Sequence, residues 1–258
     1  MRDILITAGV HGDEFGSVLV ARELKGWVEG KGIQNVDILP NVNLRALESW
    51  QRENPEDMKD LNREFPGKEN GTLTERTAYK LFEKAKQYDC VIDLHTYGDK
   101  SRCIPYMLTD LDKKYNIELC KNLGIEYGVQ TGGDSGQMFL ELSNRGIPSM
   151  IIEAGGSHYL SEKIMSDVLD NLKEFILDEE REKSIKFFPK YTRYSPKLKG
   201  SYTPKKKPGD TVKKGDVLGY LEDEPVFSEH DGFILGIKMK GEYDHEEESL
   251  AAIAFEDD

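Results

Sequence analysis

The chain has 258 residues, 38% of them hydrophobic, and a formal net charge of −13. That length gives one large domain or a domain with a small module. The negative balance speaks against nucleic acid and anionic membranes as partners, because both repel a polyanion. The three cysteines, Cys90, Cys103 and Cys120, form no CxxC pair, so they fit neither a disulfide framework nor a thiolate metal site and suit a reducing compartment. No apolar run approaches the roughly 20 residues of a membrane helix, and the opening MRDILITAGVHGDE turns acidic too soon for a signal peptide. A cytoplasmic protein is expected.

In chain order, residues 3 to 10 read as a buried strand that runs into the glycine turn of VHGDE. SVLVARELKGWVEG has apolar residues at helical spacing and ends in glycine, and VDILPNV is a second strand. The stretch from Asn43 to Gly71 is polar and irregular, and reads as a long ordered loop of the kind that is often functional. TLTERTAYKLFEKAKQ is a helix with a threonine cap, and DCVIDLH is a buried strand ending on His95. CIPYMLT, a helix around DLDKKYNIELCKNLG, the glycine run TGGDSG and PSMIIEAGG continue the alternation, and the stretch over 161–183 is a long amphipathic helix. Strands alternating with helices predict an α/β fold, in which ligands gather at the carboxyl ends of strands. After about residue 190 the composition becomes basic and turn-rich, with short strand patterns, so the expected division is 1–190 and a small all-β module over 191–258.

Three candidate groups share one location. His11, His95 and Glu153 all fall at or just after the ends of predicted strands, and Glu14 opens the helix three residues after His11, a spacing that projects both to one side. Two imidazoles and one carboxylate with an open position make a hydrolytic zinc set. Glu153 ends an apolar strand, a costly place for a charge unless it is paired or near a metal, and fits the base that such a site needs. In the long loop, Arg52, Asn62 and Arg63 form a cationic group suited to carboxylates and to a developing oxyanion.

VHGDE, LNREFPG, DLHT and IEAGG, in that order, resemble the succinylglutamate desuccinylase/aspartoacylase family of zinc hydrolases, relatives of the zinc carboxypeptidases. The resemblance runs over nearly the whole chain. It implies the zinc-carboxypeptidase fold, a mixed sheet flanked by helices, and one zinc ion per chain held by His11, Glu14 and His95. It also implies Glu153 as general acid/base, Arg52 near the carbonyl oxygen, and Asn62 and Arg63 near a substrate carboxylate. In the desuccinylases and aspartoacylases proper the first arginine stands seven residues before the asparagine. Here that position is Pro55, and Arg52 stands ten before, as in broader members of the family. Aspartoacylase uses a further arginine upstream of the catalytic glutamate; Arg145 lies in that region, out of register, and is taken with Tyr97 as a substrate-binding candidate. His158, in GGSHY, is a further candidate for the pocket.

The C-terminal stretch resembles a biotinyl/lipoyl-like barrel whose matching turn, placed at SEHDG, lacks the carrier lysine, so a non-carrier module capping the active-site mouth is expected. The resulting expectation is hydrolysis of the amide bond of a small N-acyl amino acid or N-acyl amine carrying a carboxylate, with a homo-oligomer left open. The rivals are a zinc carboxypeptidase on short peptides, and a non-catalytic binding protein with a vestigial metal site.

Overall fold

The computed structural model of the protein describes residues 2–98, 100–156, 160–178, 184–244 and 249–256. The apolar runs build its largest sheet. Strands β1 (Ile4–Ala8), β3 (Cys90–Tyr97) and β7 (Ser149–Gly156) stand side by side at the centre and are buried almost throughout. β2 (Val36–Leu39) flanks β1, and β5 (Tyr106–Thr109), β6 (Tyr127–Gln130) and β8 (Lys186–Phe188) extend the other side, in the order β2-β1-β3-β7-β5-β6-β8. All neighbouring pairs are parallel except β5 against β7, so the sheet is mixed.

Helices α1 (Phe15–Lys31), α4 (Lys114–Leu123) and α6 (Glu162–Ile176) cover one face, packing Leu24, Leu119 and Leu172 on Ile6, Ile92 and Ile152. α3 (Leu73–Ala85) and α5 (Met138–Ser143) cover part of the other, with Phe82 and Met138 against Leu5 and Val91. Alternation along β3 decides where the chemistry goes. Ile92 and Leu94 turn to the first face, so Asp93 and His95 turn to the second. The expected threonine cap of α3 is a capping box: Thr72 accepts from the Glu75 backbone, and the Glu75 carboxylate accepts from the Thr72 backbone.

Two sequence expectations change. The stretch from Asn43 to Gly71 contains α2 (Leu44–Ser49) and a 3-10 turn at Leu61–Arg63. A six-residue helix is too short to display a period, which is why its pattern reads as irregular. The helix expected over 161–183 ends at Ile176, and 179–183 lie outside the described residues.

The C-terminal part consists of antiparallel strands: β9 (Lys190–Tyr194), β10 (Lys199–Pro204), β11 (Thr211–Val212), β12 (Val217–Leu221), β13 (Glu224–Phe227), β14 (Gly232–Lys238), β15 (Gly241–Asp244) and β16 (Ala251–Phe255). They form two sheets, β13-β12-β10-β15 and β11-β14-β16-β9, around a core that includes Tyr202, Leu218, Ile234 and Ile253. Its tight hairpin lies at Glu222–Asp223, between β12 and β13. SEHDG is instead the link from β13 to β14, which corrects the expected turn; neither stretch contains lysine.

This part is fused to the rest. β4 (Ser101–Cys103) pairs with β14, and Leu235, Ala252 and Ala254 share an apolar cluster with Tyr106, Phe139 and Phe188. Among the described residues no helix is long and apolar enough to cross a membrane.

Candidate metal centre and its cavity

The carboxyl-terminal halves of β3 and β7, the turn after β1 and the start of α1 converge. His11 follows β1 in the turn before α1. Glu14 is the N-cap residue of α1, yet its carboxylate makes no capping bond and reaches the imidazoles instead. Gly12 lets this turn press against α2: its N–H donates to the Gln51 carbonyl, and a Cβ there would collide with the Ala46 carbonyl. His95 and Glu153 stand directly opposite each other on the neighbouring central strands β3 and β7. His11, Glu14, His95 and Glu153 are all buried.

The two histidines are held alike. His11 Nδ1 is 2.7 Å from Glu14 Oε1, and His95 Nδ1 is 2.9 Å from Glu14 Oε2. On the far side of each ring, Nε2 meets a carboxylate: Asp60 at 3.0 Å for His11 and Asp93 at 3.0 Å for His95. Asp93 is itself fixed by the Thr7 hydroxyl at 2.7 Å, and the Thr96 N–H donates to Glu14 at 3.2 Å. Each imidazole is thus oriented from behind, with Nδ1 turned toward a shared carboxylate, the arrangement by which carboxylates orient metal-bound histidines.

The donor set passes a test of fit for a divalent cation. One donor atom each from His11, Glu14 and His95 lies within 4.8 Å of the others, and the set is two nitrogens and a carboxylate, which suits zinc. Charge is already in place. Burial alone would raise the Glu14 carboxyl, but the His11 and His95 rings hold it well below the usual carboxylate range. Burial would lower the His95 ring, and Asp93 and Glu14 together hold it well above the ordinary histidine value. Asp60, despite burial, is held far down by His11 and Arg52.

Glu153 differs. Burial first, then Glu14, raises its carboxyl to about 7, and its Oε2 is buried with no hydrogen-bond partner among the described residues. It is a proton acceptor that the protein has left uncommitted.

These groups open into a cavity of about 410 Å³, the size of a small-molecule site. Glu14, Arg52, Asp60, Arg63, Tyr97 and Glu153 are among the side chains that line it. Arg52 Nη2 donates to Asp60 at 2.9 Å, and its Nη1 lies 3.6 Å from Glu14. Arg63 donates to the Asn62 carbonyl at 2.8 Å and lies 3.6 Å from Asp134. Asn62 is buried beside the lining rather than in it, its side-chain oxygen without a partner among the described residues. Tyr97 shares a hydrogen bond with the Tyr106 hydroxyl at 3.1 Å.

Arg145 is not brought to the cavity. It follows α5, where Nη1 donates to Glu141 Oε2 at 2.8 Å and the guanidinium lies over the Phe82 ring, so the pairing on its own helix turns it away. His158 lies outside the described residues.

Sequence reasoning passed over Asp60 and Asp93, although DLH and DLN carried a signal: an acid two residues before His95 on a strand must share its face. It also passed over Arg193, Gly236–Lys238 and Ser249–Ala251, the C-terminal part of the lining. For those no local pattern exists, because strand pairing places them.

Comparison with known proteins bears on the family and the fold. A family model described as the succinylglutamate desuccinylase/aspartoacylase catalytic domain matches residues 1–177. The N-alpha-acetyl-L-2,4-diaminobutyric acid deacetylase of Halomonas elongata is 28% identical over 167 residues, 62% of this chain and 46% of that protein. The match thus spans about half the length of the curated relative. Among solved structures, a succinylglutamate desuccinylase/aspartoacylase from Rhodobacter sphaeroides superposes with a TM-score of 0.83 at 20% identity, over 99% of this chain and 86% of that one. The product-bound ectoine utilization protein EutE (DoeB) from Ruegeria pomeroyi gives 0.83 at 19% identity, over 98% and 85%. At these identities the likeness is one of fold, and it extends through the C-terminal strands.

Proposed function

The chain belongs to the succinylglutamate desuccinylase/aspartoacylase family, and from that premise we propose that it is a zinc-dependent hydrolase that cleaves the amide bond of a small N-acyl amino acid. The observation that carries this reading is the placing of His95 beside Glu153, with Glu14 bridging both imidazoles and Glu153 left without a partner. The deacetylase likeness supports an N-acyl substrate.

His11, Glu14 and His95 would hold one zinc ion, which would supply a Lewis acid able to acidify water and polarise a carbonyl. The chain's own groups do the rest. Glu153 takes the proton of the attacking water as the new carbon–oxygen bond forms. Arg52 holds the oxygen on which negative charge develops. Glu153 then returns the proton to the leaving nitrogen as the carbon–nitrogen bond breaks, releasing a carboxylic acid and a free amine. Arg63, with Asn62 behind it, anchors a substrate carboxylate, and Tyr97 bounds the pocket. Asp60 and Asp93 keep the two imidazoles turned.

In this reading residues 1–190 carry the chemistry, and 191–258 form a non-carrier cap that limits the site to small molecules. The working place is the cytoplasm, and neither nucleic acid nor membrane takes part.

The test is elemental analysis of purified protein beside H95A, with a panel of N-acyl amino acids. One zinc per chain, lost in the variant together with hydrolysis, is the expected result. Protein that takes up no metal after zinc is added back, and turns over nothing in the panel, would sink the reading.

A further inference from the structure

The glycine run TGGDSG, residues 131–136, joins β6 to α5 and is pinned at both ends. At its start the Thr131 N–H donates to the Thr109 carbonyl at 2.8 Å. At its end the Gly136 carbonyl accepts from the Phe65 N–H at 3.1 Å. An added Cβ on Gly136 would lie 2.1 Å from the Arg63 carbonyl oxygen, and the φ of +80° there calls for glycine as well. The end of the run is thus pressed onto the backbone of Arg63. Between the two ends the chain arches outward. Residues 132–135 are all exposed, and an added Cβ on Gly132 or Gly133 would meet nothing within 4 Å.

The arch carries Asp134. Its Oδ2 lies 3.6 Å from Nη2 of Arg63, the cavity-lining cation to which the reading above gives the substrate carboxylate. Arg52 has a carboxylate partner of another kind. Asp60 is 14% exposed, hydrogen-bonded to Arg52 at 2.9 Å, and held as well by His11 and by the Asn62 N–H. Asp134 is 63% exposed and, among the described residues, has no other hydrogen bond or ion pair. At 3.6 Å it makes an ion pair with Arg63 without a hydrogen bond. A substrate carboxylate that closes to bidentate contact would exchange a loose partner for a tight one. The chain therefore holds a carboxylate of its own beside the guanidinium that a substrate needs, on a segment that little else restrains.

We propose that Asp134 is an autoinhibitory group, which competes with the substrate carboxylate for Arg63 and retakes it as product leaves. The proposal rests on the reading of Arg63 as a carboxylate anchor and not on the chemistry at the metal. Exposed pairs of this kind form with an equilibrium constant of about 1.4 to 5. Arg63 is then free for about a sixth to two-fifths of the time, and the apparent affinity for a carboxylate falls by about two- to sixfold. The same factor loosens the hold on a product that keeps its carboxylate, which favours release.

Butyrate, with butyramide as the uncharged probe of equal length, tests the contact by titration calorimetry on zinc-loaded protein. D134N should bind butyrate about two- to sixfold more tightly than wild type, and butyramide no differently. D134E keeps the charge and should show no gain. In an R63Q background D134N should bring no gain either. Equal butyrate affinity in wild type and D134N, a gain shared by D134E or by butyramide, or a gain that persists beside R63Q overturns the proposal. Asp134 is exposed, so folding is not at stake in these variants.

Turnover separates competition from support of the fold around Arg63. For an N-acyl amino acid that wild type hydrolyses, KM should fall in D134N by the factor seen with butyrate, while KM for the matching N-acyl amine without a carboxylate stays put. A fall in kcat on both compounds with KM unmoved would make Asp134 a structural support and refute the assignment. If wild type hydrolyses neither compound while butyrate binding follows the expected pattern, the hydrolase reading fails and the competitor stands. If hydrolysis occurs and D134N changes neither KM nor butyrate affinity, the competitor falls and the hydrolase reading stands.

Discussion

The wall that residues 1–177 give the cavity and the wall given by the C-terminal strands are made differently. In the first, nearly every polar group has a partner chosen for it: His11 with Asp60, His95 with Asp93, and Arg52 with Asp60. The exceptions among the described residues are one oxygen each of Glu153 and Asp13 in the lining, and the Asn62 side-chain oxygen beside it. The second wall mixes small residues, Gly236, Ser249 and Ala251, with the larger Ile237, Leu250, Lys238 and Arg193. A wall of mutually fixed groups suits chemistry, which needs atoms held within tenths of an ångström. A wall of mixed small, apolar and cationic residues, placed by strand pairing, suits selection of what enters. The two can be altered separately, and the experiments that would break this contrast follow from it.

The largest effect should come from the first wall. E153Q removes the proton carrier while keeping its shape, so kcat should fall about 10³-fold, within the range for a positioned acid/base, with zinc content unchanged. A variant with wild-type kcat would end the assignment.

Next is the pH response of the metal-free protein. Folded Glu153 titrates near 7, against 4.5 for the ordinary group, so between those values the folded chain keeps a proton that the unfolded chain has lost. Its contribution to stability therefore falls as pH rises through that window. E153Q should gain on wild type by on the order of 3 kcal/mol between pH 4.5 and 8. Denaturant melts whose difference does not vary with pH would contradict it.

Smaller still, D93N should weaken zinc binding about 10- to 100-fold by freeing the back of His95. Competition with a chelator would read this, and unchanged affinity would mean that β3 alone orients the ring.

On the second wall, G236A would drive a Cβ into the Tyr97 ring. The expected loss is about 1–3 kcal/mol of stability and a shifted substrate KM, with zinc affinity kept. A fall in zinc affinity equal to that of D93N would erase the distinction between the walls.

The first wall was largely legible in the sequence, because its groups sit in short motifs at the ends of buried strands. DCVIDLH and SMIIEAGG announce both the strand and the polar side chain that it carries in its carboxyl-terminal half. The fold class followed from the same alternation. What could not be read depends on pairing at a distance. Nothing in KYTRY says that β9 lies against β16, so nothing says that Arg193 faces the cavity. Arg145 illustrates the opposite error: closeness in sequence to Glu153 suggested a shared site, whereas the turn after α5 ties it to Glu141. Short elements such as α2, β4 and β8 carry too few residues for a period to emerge.

The order in which the cavity's parts appear along the chain has a bearing on its birth in the cell. His11, Glu14, His95 and Glu153 leave the ribosome well before β16, whose Ala251 completes the enclosure. At ordinary rates of synthesis the interval is about 5–20 s. A nascent chain thus owns its metal ligands and its proton carrier before it owns the wall that selects among small molecules. The ligands and the proton carrier precede the selecting wall in every round of translation, and the pairing of β16 with β14 is the step that adds its last residues.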